Sequence, residues 1–308
     1  MNHVNELAEC RERANRQELL ERIERAIPTD GTREPIQGVH LFRVSRAAEP
    51  VIGLSVPAFC FIVQGSKEIL LGEKAYRYDT DHFLLATVEL PATGVVLEAS
   101  RDCPYLGLRV DLDSTIVGSA MVEAAIPSPR GHSDAKAIVV SALDFQLRDA
   151  TLRLVRLIDS PDEARVLAPL IKREIVFRLL MGEQGNRLRH LATLGGHSHR
   201  IAQAVERIRT DFDKPLRVED IAKDFGMSPS GFHHHFKTVT DMSPMQFQRQ
   251  IRLQEARRLM LGEEFDAASA GFKVGYEDPS HFSREYKKHF GNSPARDVER
   301  LRALVVAS

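Results

Sequence analysis

Cysteine is scarce in this chain of 308 residues, which contains only Cys10, Cys60 and Cys103. No two of them form a C-x-x-C pair, so the sequence excludes a disulfide framework and a zinc site made of four sulfurs. Free thiols of this kind are typical of a protein that works in a reducing compartment.

Long hydrophobic runs are also missing. No stretch of about 18 consecutive apolar residues occurs, so no transmembrane helix is predicted and no membrane partner is expected. The first 27 residues are rich in Glu and Arg, and they lack the apolar centre of a secretory signal peptide. We therefore expect a cytoplasmic protein.

Neither sign of charge is in excess. The chain has 42 Lys and Arg against 43 Asp and Glu, and residues 197–308 alone have 18 against 16. Such a weak positive balance argues against an architectural protein that binds nucleic acid without regard to sequence. Any binding to DNA must depend on where the charges are placed.

Hydrophobic spacing divides the chain into four segments and predicts an α+β protein of two domains. Residues 1–35 are predicted to form a charged helical arm, and its helix is expected to end at Pro28. Residues 36–113 carry short apolar runs between turn residues, which predicts a β-sandwich or barrel. Residues 114–196 show the three- and four-residue spacing of helices, and residues 197–308 are predicted to be all-α.

The most specific feature is an internal repeat near the end of the chain. Residues 229–237, PSGFHHHFK, recur as residues 279–287, PSHFSREYK. The segments before them, VEDIAKDFG at 218–226 and AASAGFKVG at 267–275, share apolar positions and a final glycine. A short helix with one apolar face, a glycine turn and a second short helix make a helix-turn-helix, so two such units are predicted.

The residues around each turn support this interpretation. Gly226 and Gly275 can adopt the left-handed conformation that a tight turn needs, and Ser228 and Asp278 can cap the following helix. Between the two units, residues 244–261 have a helical apolar pattern. A helix of that length would span about 27 Å, which suits two reading helices in successive major grooves.

Two segments carry a family resemblance. Residues 252–259, RLQEARRL, and residues 274–291, VGYEDPSHFSREYKKHFG, strongly resemble the signature of the AraC/XylS regulators. The resemblance extends over residues 199–297. Residues 36–112 resemble, more loosely, the amino-terminal effector domain of one branch of that family, which implies a cupin-like β-fold.

Two positions depart from the family pattern. Asp241 stands where glycine is common, and Gly271 stands where alanine is usual. Glycine at position 271 is expected to cost about 1 kcal/mol of helix propensity, which would loosen the second unit.

The resemblance implies a sequence-specific DNA-binding transcription regulator, more often an activator, with promoter DNA and RNA polymerase as partners. The implied base-contacting positions are Ser230, His233, His234, Ser280, Ser283 and Arg284. Arginine can form a bidentate pair with guanine, and His and Ser can donate or accept at base edges. Lysines further along the same helices are better placed for phosphates: Lys237, Lys287 and Lys288.

The β-domain is expected to hold a small effector. Four residues are candidates for its pocket: Arg43, Cys60, Cys103 and Arg109. The metal-binding cupins use a cluster of His and Glu, whereas this segment has only His40 and His82, far apart. No metal, no cofactor and no enzymatic activity are therefore expected.

Other interpretations of the β-domain stay open. It could be a structural barrel for dimerisation, a sensor of oxidants or electrophiles through Cys60 or Cys103, or a cupin-type enzyme with an appended DNA reader. The helical segment at 144–181 has a surplus of apolar residues, which favours a homodimer formed through it or through the N-terminal helix. Packing against the barrel is the alternative use of these residues.

Overall fold

The structure is a computed structural model that describes residues 2–46, 50–72, 74–127, 136–192, 197–262 and 265–306. The chain forms two compact units. The first contains Met1–Arg200 and Thr238–Asp241, and the second contains Ile201–Lys237 and Met242–Ser308. No helix in the described part of the chain is long and apolar enough to cross a membrane.

Two antiparallel sheets form the centre of the first unit. The strands are β1 (Gly31–Ile36), β2 (Val39–Val44), β3 (Val51–Ser55), β4 (Ala58–Gln64), β5 (Ser66–Leu71), β6 (Lys74–Tyr78), β7 (His82–Ala86), β8 (Leu90–Glu98), β9 (Tyr105–Asp111) and β10 (Ile138–Ala142). One sheet has the order β1-β2-β9-β4-β7-β10 and the other has the order β3-β8-β5-β6. Most of these strands lie in the segment that was predicted to be β-rich, and together with the helices described next they make the unit α+β.

In the described part of the first unit, the helices beside these sheets are α1 (Asn2–Ala26), α2 (Ser114–Glu123), α3 (Phe145–Arg156), α4 (Pro161–Met181) and α5 (Gly185–Ala192). They share one buried core with one face of the six-stranded sheet. Leu41, Phe59 and Leu108 on that face share a buried core with Leu19 of α1 and Leu152 of α3. Because strand side chains alternate between faces, the next residues in each strand point to the opposite side.

Two of the predicted segments need correction. The predicted arm, residues 1–35, already contains the start of β1, and its helix is not detached, because Leu19 and Ile23 are buried in the core of the unit. β1 was missed because it is an exposed polar edge strand that contains Pro35, and proline is tolerated at a sheet edge.

The predicted helical segment, residues 114–196, contains β10. This five-residue strand pairs with β7 from Ile138↔Ala86 to Ala142↔His82. Its run of β-branched residues is too short for periodicity to distinguish a strand from a helix, and the free edge of β7 supplies the deciding partner.

The second unit is helical: α6 (His197–Thr210), α7 (Val218–Asp224), α8 (Pro229–Thr240), α9 (Pro244–Gly262), α10 (Ala267–Lys273), α11 (Pro279–Phe290) and α12 (Pro294–Val306). α7–α8 and α10–α11 are the two repeated pairs. α9 joins them as one helix of 19 residues, about 28 Å long at about 1.5 Å per residue.

Candidate nucleic-acid interface

The two repeated turns have the same backbone geometry. Gly226 has φ +64° and Gly275 has φ +88°, both in the left-handed region. One residue later, the N–H of Met227 donates to the carbonyl of Ala222 at 2.8 Å, and the N–H of Tyr276 donates to the carbonyl of Gly271 at 2.9 Å. These are corresponding bonds of a glycine-terminated helix, so the repeat in sequence is also a repeat in structure.

The second helix of each pair is capped as predicted. Ser228 Oγ accepts a hydrogen bond from the N–H of Gly231 at 3.1 Å. Asp278 accepts from the N–H groups of Ser280 at 2.8 Å and His281 at 3.2 Å. These caps satisfy amides that α8 and α11 would otherwise leave free, so they set where the two helices begin. We call α8 and α11, the second helices of the two predicted helix-turn-helix units, the recognition helices.

Four aromatic side chains anchor the recognition helices. Phe232 and Phe236 on α8, and Phe282 and Tyr286 on α11, are fully buried. The paired rings lie 5.4 Å apart on α8 and 5.5 Å apart on α11, as their four-residue spacing requires. One face of each helix is thereby held inside the unit.

The two departures from the family pattern acquire a structural meaning. A Cβ on Gly271 would lie 3.0 Å from Phe282 Cγ, so the missing side chain makes room for the buried ring of α11. The expected loosening of the second unit is thus opposed by this close packing. Asp241 has φ +56°, and Gly291, its counterpart in the repeat, has φ +80°. Both positions therefore require the left-handed conformation that explains why glycine is common there.

The opposite face of each recognition helix carries the predicted DNA-contacting residues. Eight of them are exposed: Ser230, His233, His234, Lys237, Ser280, Arg284, Lys287 and Lys288. Ser283 is half-buried. Each helix therefore has an apolar face packed inward and a hydrogen-bonding face open to solvent.

Sequence reasoning missed a buried carboxylate that supports the second recognition helix. Asp297 on α12 is completely buried and accepts from Arg257 Nε at 2.8 Å and Nη2 at 3.0 Å. Arg300 Nη2 and Tyr286 Oη also donate to it, each at 2.9 Å. These bonds tie α12 to α9 and to α11. The acidic residue gave no local signal, because Arg257 and Tyr286 belong to other helices.

A second missed residue is Arg252, which binds backbone on both sides of α9. Its Nε donates to the carbonyl of Phe212 at 2.6 Å, and its Nη2 donates to the carbonyl of Lys214 at 2.9 Å. Its Nη1 donates to the carbonyl of Gly275 at 2.8 Å. One guanidinium thus connects the segment before α7 to the turn of the second helix-turn-helix.

Gly275 provides a test of the turn. Changing Gly275 to alanine should destabilise the second unit by about 3 kcal/mol or more, because strain at positive φ adds to overlap with neighbouring backbone. The new Cβ would lie 2.1 Å from the carbonyl oxygen of Asp213. Urea unfolding of the full chain measures the loss. Gly291→Ala is the matched control: it has φ +80° but no atom within 4 Å of the new Cβ, so a loss of about 1–2 kcal/mol is expected. Equal losses in the two variants would contradict the steric argument.

In the first unit, the structure brings together only two of the four predicted effector residues. Cys60 and Arg109 are directly paired across β4 and β9, so their side chains share one face of the sheet. Arg43 is on the other face by strand alternation, with its Nε 3.9 Å from Asp30. Cys103 is exposed in the turn before β9, where its N–H donates to Ser100 Oγ. Arg43 and Cys103 are therefore corrected: neither shares a pocket with Cys60.

The face that carries Cys60 and Arg109 is turned toward the four-stranded sheet. Lys67 of β5 reaches it, with Nζ 5.8 Å from the centre of the Phe42 ring on β2. We call the cluster of Phe42, Cys60, Lys67 and Arg109, where the two sheets meet, the lumen. All four of these residues are half-buried. Sequence reasoning missed Phe42 and Lys67, because nothing in the local pattern indicates that a strand of the other sheet faces Arg109.

Burial governs the thiol of Cys60. Desolvation raises the pKa of Cys60 to about 11, although the charges of Lys67 and Arg109 act in the opposite direction. The thiol therefore stays protonated at neutral pH, whereas oxidants and electrophiles react with the thiolate. This environment disfavours Cys60 as a sensor of oxidants.

Comparisons with known proteins find matches to both units of the chain. Residues 35–187 match the family described as AraC-type transcriptional regulator N-terminus, and residues 221–300 match a helix-turn-helix domain family. The HTH-type transcriptional regulator ArgR of Pseudomonas aeruginosa is 27% identical over 154 residues, which is 50% of this chain and 47% of that protein. The activator RhaS of Klebsiella pneumoniae is 27% identical over 135 residues, 44% of this chain and 48% of that protein. The chain thus spans about half the length of these curated relatives.

A solved structure shows the same fold. ToxT from Vibrio cholerae, with an unsaturated fatty acid bound, superposes with a TM-score of 0.53 over 84% of this chain and 94% of that chain, at 12% identity. At this identity the likeness concerns the fold alone. The two matched families, the repeated helix-turn-helix geometry and the two-domain fold lead to one conclusion: the chain belongs to the AraC/XylS family of transcriptional regulators.

Proposed function

We propose that this protein is a sequence-specific DNA-binding regulator of transcription. The observation that carries the proposal is the pair of helix-turn-helix units, α7–α8 and α10–α11, which share the same turn bond and each leave a polar face exposed. A short helix presented in this way fits the major groove, where each base pair has a distinct pattern of donors and acceptors.

The two recognition helices have different chemistry for this task. α11 offers Arg284, whose guanidinium can bind the O6 and N7 atoms of guanine together. α8 offers His233 and His234, which can donate or accept at base edges. Lys237, Lys287 and Lys288 supply charge for the phosphates, which fixes the register of the protein without reading sequence. α9, about 28 Å long, suits two helices in successive grooves that recur about every 34 Å.

Sequencing the genomic DNA that the protein retains tests this proposal. We expect one recurring motif with two conserved blocks about one helical turn apart. Retention of all sequences alike would instead indicate an architectural DNA binder. The near balance of 18 basic and 16 acidic residues in 197–308 argues against that alternative, because affinity without specificity grows with the number of phosphates neutralised.

The first unit is proposed to bind a small effector in the lumen. Support comes from the half-buried polar groups that meet between its two sheets and from the fold shared with ToxT, which holds an unsaturated fatty acid. A purely structural barrel would not need charged side chains in this position, since burying a charge without a partner is unfavourable. Effector binding would then shift the protein between two arrangements on the promoter, within the limit of its differential affinity for them.

We include a homodimer in the proposal. The outer face of α4 exposes Val166, Leu170, Phe177 and Met181, which recur at four- and seven-residue intervals. An apolar stripe with this spacing is typical of a helix that packs against another helix. A second copy of the chain is its proposed partner.

Analytical ultracentrifugation tests the dimer. The wild-type chain should sediment as a dimer at micromolar concentration, and Leu170→Glu should shift it to monomer. Val51→Glu is the control, because Val51 is an exposed apolar residue on β3, in the four-stranded sheet. A monomeric wild type, or the same shift in both variants, would show that α4 is not the interface.

Activation through RNA polymerase is proposed by family analogy, and transcription in vitro with and without the protein checks it.

A further inference from the structure

Two cations share one aromatic ring in the lumen. Lys67 Nζ lies 5.8 Å and Arg109 Cζ lies 5.9 Å from the centre of the Phe42 ring. The three side chains come from β5, β9 and β2, so both sheets contribute to the cluster. Like charges held this close repel each other, and an aromatic face offsets only part of that repulsion.

The two cations differ in their partners. Arg109 Nε donates to Asp111 Oδ1 at 2.9 Å. Lys67 has no carboxylate partner within the part of the chain that the structure describes. Burial is the main cause that lowers the pKa of Lys67, and the charge of Arg109 lowers it further. A partly desolvated ammonium group without a counter-charge is unfavourable for stability, and a bound anion would offset that cost.

A glycine on the neighbouring strand β8 leaves room for the side chain of Lys67. A Cβ on Gly94 would lie 3.0 Å from Lys67 Cε and 3.6 Å from Ile69 Cδ1. The missing side chain at Gly94 lets the lysine stem lie flat across β8. Ile69, Phe42 and the neutral thiol of Cys60 provide apolar surface next to the ammonium group.

We propose that the lumen binds a small organic anion of the carboxylate class, with its charged group on Lys67 and Arg109 and its apolar body against Phe42 and Ile69. This inference rests on the proposed function, because it names the chemical class of the effector. The anion supplies the counter-charge that Lys67 lacks. It meets the terminal amino groups of Arg109, while Asp111 keeps the Nε donor. Charge-assisted hydrogen bonds of this kind are about twice as strong as neutral ones.

The experiment titrates the full chain with straight-chain carboxylates from acetate to decanoate and with benzoate, each alongside its neutral primary amide. Calorimetry gives Kd, and thermal unfolding gives the shift in Tm. At least one carboxylate should bind and raise Tm, while its amide should not. Lys67→Met should raise the Kd for that carboxylate by about 10- to 100-fold, as expected for loss of a charge-assisted contact. Without ligand, the Tm of Lys67→Met should be no lower than that of wild type, because a partly desolvated charge has been removed.

Arg77→Met is the matched control. It removes one positive charge from the neighbouring strand β6 at an exposed position, so its carboxylate affinity should equal that of wild type. If Lys67→Met does not fold, Lys67→Gln serves in its place. The proposal is overturned if no carboxylate binds wild type at millimolar concentration or if a carboxylate and its amide bind with equal affinity. It is also overturned if Lys67→Met, like the control Arg77→Met, binds the carboxylate with wild-type affinity. DNA selection without ligand is a separate readout, so failure of the regulator assignment and failure of the anion site are distinguishable.

Discussion

Arg284→Ala is expected to weaken binding to the operator about 10- to 100-fold and to relax the preference at one base pair. A bidentate contact between arginine and guanine contributes about 1–3 kcal/mol of discrimination against the wrong base, and alanine cannot replace it. Arg284 is exposed on the polar face of α11, whose other face is held by Phe282 and Tyr286. Titrations of the variant against the operator and its single-base substitutions measure both effects.

Lys288→Ala is the control from the same helix. Lys288 is also exposed, and it is proposed to contact a phosphate. Its loss should weaken all sequences alike and lower the slope of log affinity against log salt by about 1. If Arg284→Ala also weakens every sequence equally and leaves base preference unchanged, Arg284 contacts the backbone and the assignment of α11 as a reading helix is wrong.

Asp297→Ala is expected to lower the free energy of unfolding of the second unit by about 3–5 kcal/mol. Removing one member of a buried ion pair leaves the other uncompensated, and here Arg257, Arg300 and the Tyr286 hydroxyl all lose their acceptor. Arg257 also stacks 4.5 Å over the Phe290 ring, so it has little freedom to turn to solvent. Urea unfolding of the full chain measures the change.

Glu299→Gln is the control for Asp297. It neutralises an exposed carboxylate on the same helix, α12, and should change stability by less than about 0.5 kcal/mol. A loss below about 1 kcal/mol in Asp297→Ala would show that the cluster is accessible to water and does not support α11. DNA binding by Asp297→Ala at low temperature reports separately on the position of α11.

The helix-turn-helix units could be predicted because every signal they need is local. Each unit needs apolar residues at three- and four-residue spacing, a glycine at a left-handed position and a capping residue. These features fall within about 20 consecutive residues, and they occur in both copies of the repeat. Gly226 and Gly275 adopt positive φ, and Ser228 and Asp278 cap their helices, as the sequence indicates.

The residues that sequence reasoning missed depend on partners remote in the chain. Asp297 meets Arg257 across 40 positions, and Arg252 binds the carbonyl of Phe212 at the same separation. Lys67 faces Phe42 and Arg109 only because two sheets stack. Helical or strand periodicity cannot report such contacts, since it describes one element at a time.

The incorrect predictions in the first unit have a similar origin. Arg43 and Arg109 both belong to strands, but they lie on opposite faces, and the face of each depends on a register that tertiary pairing sets. β10 is a strand because β7 offers it an edge. Five residues are too few to carry that information alone.

Footprinting of the protein on its selected operator, combined with insertions between the two blocks of the motif, tests most directly whether both units read DNA together. Two protected segments about one helical turn apart are expected. Inserting about half a turn, roughly 5 base pairs, should abolish the extra affinity, because α9 holds the two recognition helices at a fixed spacing. A single protected block, or affinity that does not change with the insertion, would contradict the proposal that α8 and α11 enter successive major grooves.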